Sequence, residues 1–136
     1  MGAKVELVRE MLEMFNRSGA EAAVEFGLAP DVIWHAAPQW PGKATYEGRA
    51  GALELIEEWT ASFQDYRWDL DEVHDAGDMV LTLVHHRGTS AGTLVEAPVG
   101  AVWRVDGGAV AETWFFFSWD EARAAAGIDQ SIESRP

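Results

Sequence analysis

Residues 78–88 read DMVLTLVHHRG, and the run from Met79 to His86 is apolar on both parities apart from Thr82 and the two histidines. Its β-branched residues follow a turn signal, Asp75 to Asp78, so it reads as a strand running from Met79 to Thr89. A strand apolar on both sides needs cover on both sides. Helices supply one cover, and a second copy of the chain is the simplest source of the other, which predicts a homodimer through the outer sheet face.

Working outward, Tyr66 to His74 alternates, with Tyr66, Trp68, Leu70 and Glu72 expected on one side. Downstream, Leu94 to Val105 is a strand in which Pro98 marks a bulge or an edge, and Asp106-Gly107-Gly108 is a hairpin turn. Val110 to Trp119 is a final aromatic strand, and Asp120 is placed as the N-cap of an alanine-rich helix closing at Gly127. Upstream, Val5, Val8, Leu12 and Phe15 recur at helical spacing, and that helix stops near Asn16 to Gly19. A short helix covers Ala20 to Phe26, Val32 to Ala37 is the first strand, and a loop, PQWPGKATYEG, follows. Arg49 to Phe63 carries Leu55, Ile56, Trp59 and Phe63 on one helical face. Helices followed by four strands give an α+β domain, a curved and mostly antiparallel sheet wrapped by N-terminal helices.

The chain has 136 residues, 48% of them apolar, which suits one core; the expectation is a single domain over 1–136, with its body at about 3–128 and residues 129–136 frayed. It has no cysteine, so thiolate chemistry and Cys-ligated metals are excluded. A formal charge of −13, from 23 acidic and 10 basic residues, argues against nucleic acid and anionic membrane as partners. No apolar run is long enough for a membrane span, no signal-peptide pattern opens the chain, and Glu6 spoils the acylation motif at Met1-Gly2, so a cytoplasmic location is expected. The four histidines have no chelating spacing, and neither a metal nor another cofactor is expected. Seven tryptophans, spread over helix, loop and strand, suit either a filled core or an aromatic pocket.

The segments PDVIWHAAP, YEGRAGAL, DAGDMVLTLVHHRG, VWRVDGGAVAETW and WDEARAAAGI, taken in order, resemble the nuclear transport factor 2-like superfamily. That is the cone-shaped α+β fold of ketosteroid isomerases, SnoaL-like polyketide cyclases, scytalone dehydratase and limonene-epoxide hydrolase. The resemblance is to the SnoaL-like branch. It implies that Trp34, Ala36, Val84, His86, Ala101, Trp103, Phe115 and Phe117 face the cavity, with Tyr46, Trp40 and Trp59 at its mouth. The isomerases' aspartate and tyrosine fall on Ala36 and Met11, and the epoxide hydrolases' polar set falls on His86, Val84, Phe117, Trp34 and Ala36, so neither catalytic set is present.

Among the remaining residues His86 is the acid/base candidate, because an imidazole in an apolar cavity stays neutral near pH 7 and can accept a proton. His35 and Glu112 point away from the cavity, towards a structural or interface role, and His74 lies by a turn in solvent. Gly42 and Gly48 are candidate flex points for a gating loop. Three functions stay open: a cofactor-independent acid–base enzyme (isomerase, cyclase, dehydratase or hydrolase type) on an apolar cyclic substrate, a non-catalytic binder of an aromatic or terpenoid-like ligand, and a structural dimerisation domain. A polar neighbour orienting His86 favours the first, and a cavity surviving the packing of the tryptophans excludes the third.

Overall fold

The computed structural model describes residues 2–127; the tail expected to fray, 129–136, lies outside them. Helix α1, Ala3–Ser18, buries Val5, Val8, Met11 and Leu12 and ends where Gly19 takes φ 96°, a conformation open to glycine at little cost. Helix α2, Ala20–Gly27, follows at once, and Gly27 lies so close to the Met11 side chain that a Cβ there would sit 2.8 Å from its Cγ.

The strands are β1 (Leu28–His35), β2 (Thr45–Glu47), β3 (Gln64–Ala76), β4 (Met79–Ser90), β5 (Thr93–Asp106) and β6 (Ala109–Phe116), with helix α3 (Gly48–Thr60) after β2 and helix α4 (Trp119–Ala125) at the end. They form one six-stranded sheet, ordered β2-β1-β6-β5-β4-β3, in which only the β1–β6 pair is parallel. This is the α+β, mostly antiparallel cone that the sequence implies.

Several boundaries differ. Strand β1 begins at Leu28, four residues early, because Leu28 pairs with Val110 across an irregularity around Pro30. The loop after it contains β2, whose Tyr46 pairs with Trp34; three residues are too few to show a period. Helix α3 stops at Thr60 rather than Phe63, as Phe63 N–H turns back to the Thr60 carbonyl. Ser118, not Asp120, caps α4: its Oγ accepts from Glu121 N–H at 3.3 Å, and Asp120 sits in the first turn near Arg123. Pro98 lies where β5 has β4 as its only neighbour, since pairing with β6 starts at Gly100, an edge position of the kind where proline is found.

Strand β3 carries a correction that matters for the site. Pairing passes from Glu72↔Leu83 to Leu70↔Val84, leaving Asp71 as an extra residue. This bulge turns Glu72 to the face opposite Leu70, where a two-residue alternation would have kept them together. Asn16 of α1 closes the edge of β3, accepting from Trp68 N–H at 2.9 Å and donating to the Trp68 carbonyl.

The inner face of the sheet and α1 to α3 enclose the main core, which includes Val80, Val84, Val99, Ala101, Trp103 and Phe115. On the outer face α4 buries Leu81, Leu83 and Val102 beneath Ala122 and Trp119. That approach depends on Gly100, where an added Cβ would collide with the Cβ of Ala122. The chain's own last helix therefore supplies much of the outer cover that the sequence assigned to a second subunit. Among the described residues no helix is long and apolar enough to cross a membrane.

Candidate functional site

Alternation on β4 sends Val80, Thr82, Val84 and His86 inward and Leu81, Leu83 and His85 outward. Trp34, Val84, Ala101, Trp103 and Phe115 are buried in the inner core, and Ala36, Trp40 and Phe117 pack partly buried against it. Trp59 projects from α3 into the same cluster, edge-on to Phe115 and to His86.

His86 is half-buried and bonded at one nitrogen only. Its Nδ1 lies 3.1 Å from Trp59 Nε1 and 2.9 Å from the Tyr66 hydroxyl. An indole N–H can only donate, so Nδ1 must be an acceptor. The Tyr66 oxygen in turn accepts from Trp68 Nε1 at 2.6 Å, which leaves the Tyr66 proton to point at His86. Two donor-only groups thus set the direction of the whole chain, and the neutral imidazole carries its proton on Nε2. Among the described residues Nε2 has no hydrogen-bond partner, and it is not one of the fully buried unpaired atoms, so it keeps some contact with solvent.

Burial, and then the neighbouring His85, lower the His86 pKa. Burial pushes the Tyr66 phenol up, which keeps its proton on. Hydrogen bonds to Nδ1 favour the neutral ring as well. The sequence reading of His86 as a proton acceptor is therefore altered: its only free lone pair is already taken by Trp59 and Tyr66, and what it offers a ligand is an N–H donor.

Tyr66 is the polar neighbour that sequence reasoning left out of the site. The signal lay in pairing β3 back from its turn, but the Asp71 bulge decides which residue faces His86: Trp68 is directly opposite, with Tyr66 two residues on.

The stretch after β1 is pinned rather than free. Tyr46 OH donates to Glu58 Oε1 at 2.7 Å and accepts from Trp40 Nε1 and Lys43 N–H. Burial first, then the bond to Glu58, raises the Tyr46 pKa. Gly42 packs into this knot, where a Cβ would lie 2.6 Å from Trp40 Nε1 and 2.7 Å from Tyr46 OH; it is a close-packed position, not a flex point. Gly48, at φ 74°, makes the sharp entry into α3. Trp40 is thereby held stacked on Trp59, 5.2 Å between centroids.

Two small voids lie in the packed interior formed by the described residues. A cavity of about 20 Å³ lies between α1, α2 and the sheet, lined by Met11, Phe15, Leu28, Trp34, Trp68 and Trp103 among others. A second, of about 10 Å³, lies between Trp34, Trp59, Trp68 and Phe115. The first has room for about one water molecule. On the outer face, away from the cavity as expected, Glu112 accepts from His35 Nε2 at 2.7 Å and from Arg104 at 3.2 Å; the bond to His35 is the main cause of its lowered pKa. His35 also stacks on Trp114. His74 bonds Glu72 at the surface, and no group of three or more acidic or histidine side chains converges among the described residues.

Residues 8–113 match the model of the SnoaL-like domain. No curated protein matches the chain. Among solved structures, a nuclear transport factor 2-like protein of unknown function from Burkholderia pseudomallei is similar at 23% identity, with 91% of this chain and 97% of that one covered and a TM-score of 0.74. A protein described as a SnoaL-like polyketide cyclase from Mesorhizobium loti is 17% identical, with coverage of 82% and 97% and a TM-score of 0.67. TerC, co-crystallised with polyporic acid, is 19% identical, with coverage of 93% and 99% and a TM-score of 0.74. At these identities the likeness is one of fold.

Proposed function

The chain belongs to the SnoaL-like domain family, and from that premise we propose that it binds an apolar, ring-bearing small molecule in its cone and presents to it one oriented hydrogen-bond donor, the Nε2–H of His86. The observation that carries this reading is the donor chain Trp68 to Tyr66 to His86, closed from the other side by Trp59, which leaves Nε2–H without a partner among the described residues on a ring packed against Trp59 and Phe63. Family membership and the cyclase-like neighbour support a small-molecule or cyclase-type role.

A neutral imidazole N–H aimed at a carbonyl oxygen polarises it and stabilises the oxyanion that develops when the adjacent carbon loses a proton or is attacked. Isomerisation, cyclisation, dehydration and hydrolysis can all use that stabilisation. Where a bound ligand excludes water from this donor, the bond is worth more than in water. A ring-sized ligand enters only if a wall moves. The unbranched Met11 and the Trp40–Trp59 stack are the units through which it would move. A second reading, binding without turnover, is favoured by one observation: among the described residues the buried polar or charged ones are Thr82 and Thr113, with no carboxylate to serve as a base.

Nitrogen NMR of the His86 ring between about pH 5 and 8, with and without tetralone as a probe, tests the proposal. The expected result is an Nε2–H tautomer, protonation only below the usual histidine range, and a shift of the Nε2 signal on adding tetralone. An Nδ1–H tautomer, or ordinary titration indifferent to the probe, overturns it.

A homodimer belongs to the same reading. What supports it is the part of the outer face that α4 leaves open, with Ile33 at 37% exposure beside the half-buried Trp114. Sedimentation of the wild type against Trp114→Glu checks it, a monomer in both cases counting against a dimer.

A further inference from the structure

Among the described residues two that are not glycine take a left-handed backbone, Asp65 at φ 54° and Ala91 at φ 51°. Ala91 opens the two-residue turn between β4 and β5, and the hairpin turn with two left-handed residues requires a positive φ there. Asp65 serves no hairpin. It is the second residue of β3, where extended backbone is the rule. The left-handed conformation is strained for a residue with a Cβ, even though aspartate tolerates it better than most. Such strain persists where the surroundings impose it, and it gathers at functional sites. The Asp65 side chain is exposed, so what the position contributes is its backbone.

Strand pairing shows what that backbone does. Gln64 pairs with Thr89 and Arg67 with Arg87, so Asp65 and Tyr66 together oppose the single residue Gly88. This is a bulge whose first residue is left-handed, a place usually taken by glycine. Thr89 follows Leu83 and His85 on the outer face by alternation, and Gln64 opposite it lies outward too. In an unbroken strand Tyr66, two residues on, would share that face. The bulge turns it inward instead, where its hydroxyl comes 2.9 Å from His86 Nδ1. Gly88 completes the arrangement. With no side chain there Phe63 lies against β4, where a Cβ would be 3.0 Å from its Cδ1. The Phe63 ring packs 5.4 Å from that of Tyr66 and 6.1 Å from that of His86, and Phe15 of α1 meets Tyr66 edge-on at 6.1 Å.

We propose that Asp65 is a positioning residue of the His86 site: its left-handed backbone is retained because the bulge it makes against Gly88 delivers the Tyr66 hydroxyl to His86 Nδ1 and so fixes the ring that offers Nε2–H. Asp65 acts through Tyr66 and not by contact with a ligand. Trp59 alone makes Nδ1 an acceptor, so what the Tyr66 bond adds is a second tether on the ring and a lower affinity for a second proton. This inference rests on the donor role proposed above for His86.

The test follows the His86 ring of the full chain by nitrogen NMR across pH in Asp65→Gly and Asp65→Val, each with and without Tyr66→Phe. Glycine adopts the left-handed backbone freely, so Asp65→Gly should leave the His86 titration as in the wild type and raise the thermal midpoint. Valine, being β-branched, disfavours that backbone. Asp65→Val should therefore release Tyr66 and raise the His86 pKa towards its ordinary value, as expected for Tyr66→Phe. In the Tyr66→Phe background it should raise it no further, because the bond is already gone. A lower thermal midpoint with an unmoved His86 titration makes Asp65 a folding residue only and overturns the proposal. So does an Asp65→Val shift that persists without the Tyr66 hydroxyl. Should Asp65→Val fold poorly, Asp65→Ala opposes the same backbone more gently and must move His86 in the same sense. Tetralone added to the wild type tests the donor at Nε2 by itself, so failure of the function and failure of the positioning role are told apart.

Discussion

Replacing Tyr66 by Phe removes one oxygen and disturbs two bonds of known direction. Trp68 Nε1–H, 2.6 Å from that oxygen on a residue 6% exposed, loses its acceptor; His86 Nδ1 loses one of two donors and keeps Trp59. An orphaned buried donor costs about 1–3 kcal/mol. Tyr66 is half-buried rather than enclosed, so some water can reach the vacated site and the lower part of that range, about 1–2 kcal/mol, is expected. Trp68→Phe in the same background removes the orphan, so the double variant should be more stable than the sum of the singles by a similar amount. Urea unfolding of the four proteins measures the coupling. His86 supplies an independent readout. The lost bond favoured its neutral form, so its pKa must rise towards the ordinary value in Tyr66→Phe, although burial and His85 still hold it down. The sign carries over to stability. A histidine whose folded pKa is depressed contributes stability that is complete above its unfolded pKa, about 6.5, and is lost as pH falls below that towards the folded value. The difference between wild type and His86→Gln should therefore shrink on acidification, and shrink less in the Tyr66→Phe background. Zero coupling with Trp68, or a His86 pKa that moves down, would refute the assigned direction of the chain.

Gly100→Ala should cost about 1–3 kcal/mol and loosen α4, because the new Cβ meets the rigid Cβ of Ala122; thermal unfolding reads the loss, and Ala122→Gly in the same chain should restore much of it. Gly42→Ala should break the knot of Trp40, Tyr46 and Glu58 and release the Trp40–Trp59 stack, seen as reduced near-ultraviolet circular dichroism with little change in the far ultraviolet. Glu112→Gln should flatten the acid limb of the stability curve. The Glu112 pKa is depressed, mainly by its bond to His35, so its contribution is present above about pH 4.5 and is lost as pH falls below it. The pair is partly exposed, which limits the effect at neutral pH to under about 1 kcal/mol.

The strands were legible in the sequence for a physical reason: β-branched and aromatic runs between turn signals mark them. Their faces were not legible from period alone, since Met79 to His86 is apolar on both parities, and it was the resemblance to a known fold that set Val84, His86, Trp34, Trp103 and Phe115 inward, where the structure has them. Identity and parity are local properties. What makes His86 a donor is not local. Counting back from the turn at Ala76↔Met79 would have set Asp69 across from His86 and given it a carboxylate; the single bulged residue, Asp71, moves Trp68 there instead and brings Tyr66 within bonding reach. A bulge has no period, so no pattern along the chain announces it. Trp59 arrives from a helix 27 positions away, and only the packing of α3 on the sheet aims its N–H at Nδ1. The outer cover follows the same logic. The sequence established that Leu81 and Leu83 need burial, but whether α4 or another chain provides it was decided by Gly100, where the missing side chain lets the helix reach the sheet.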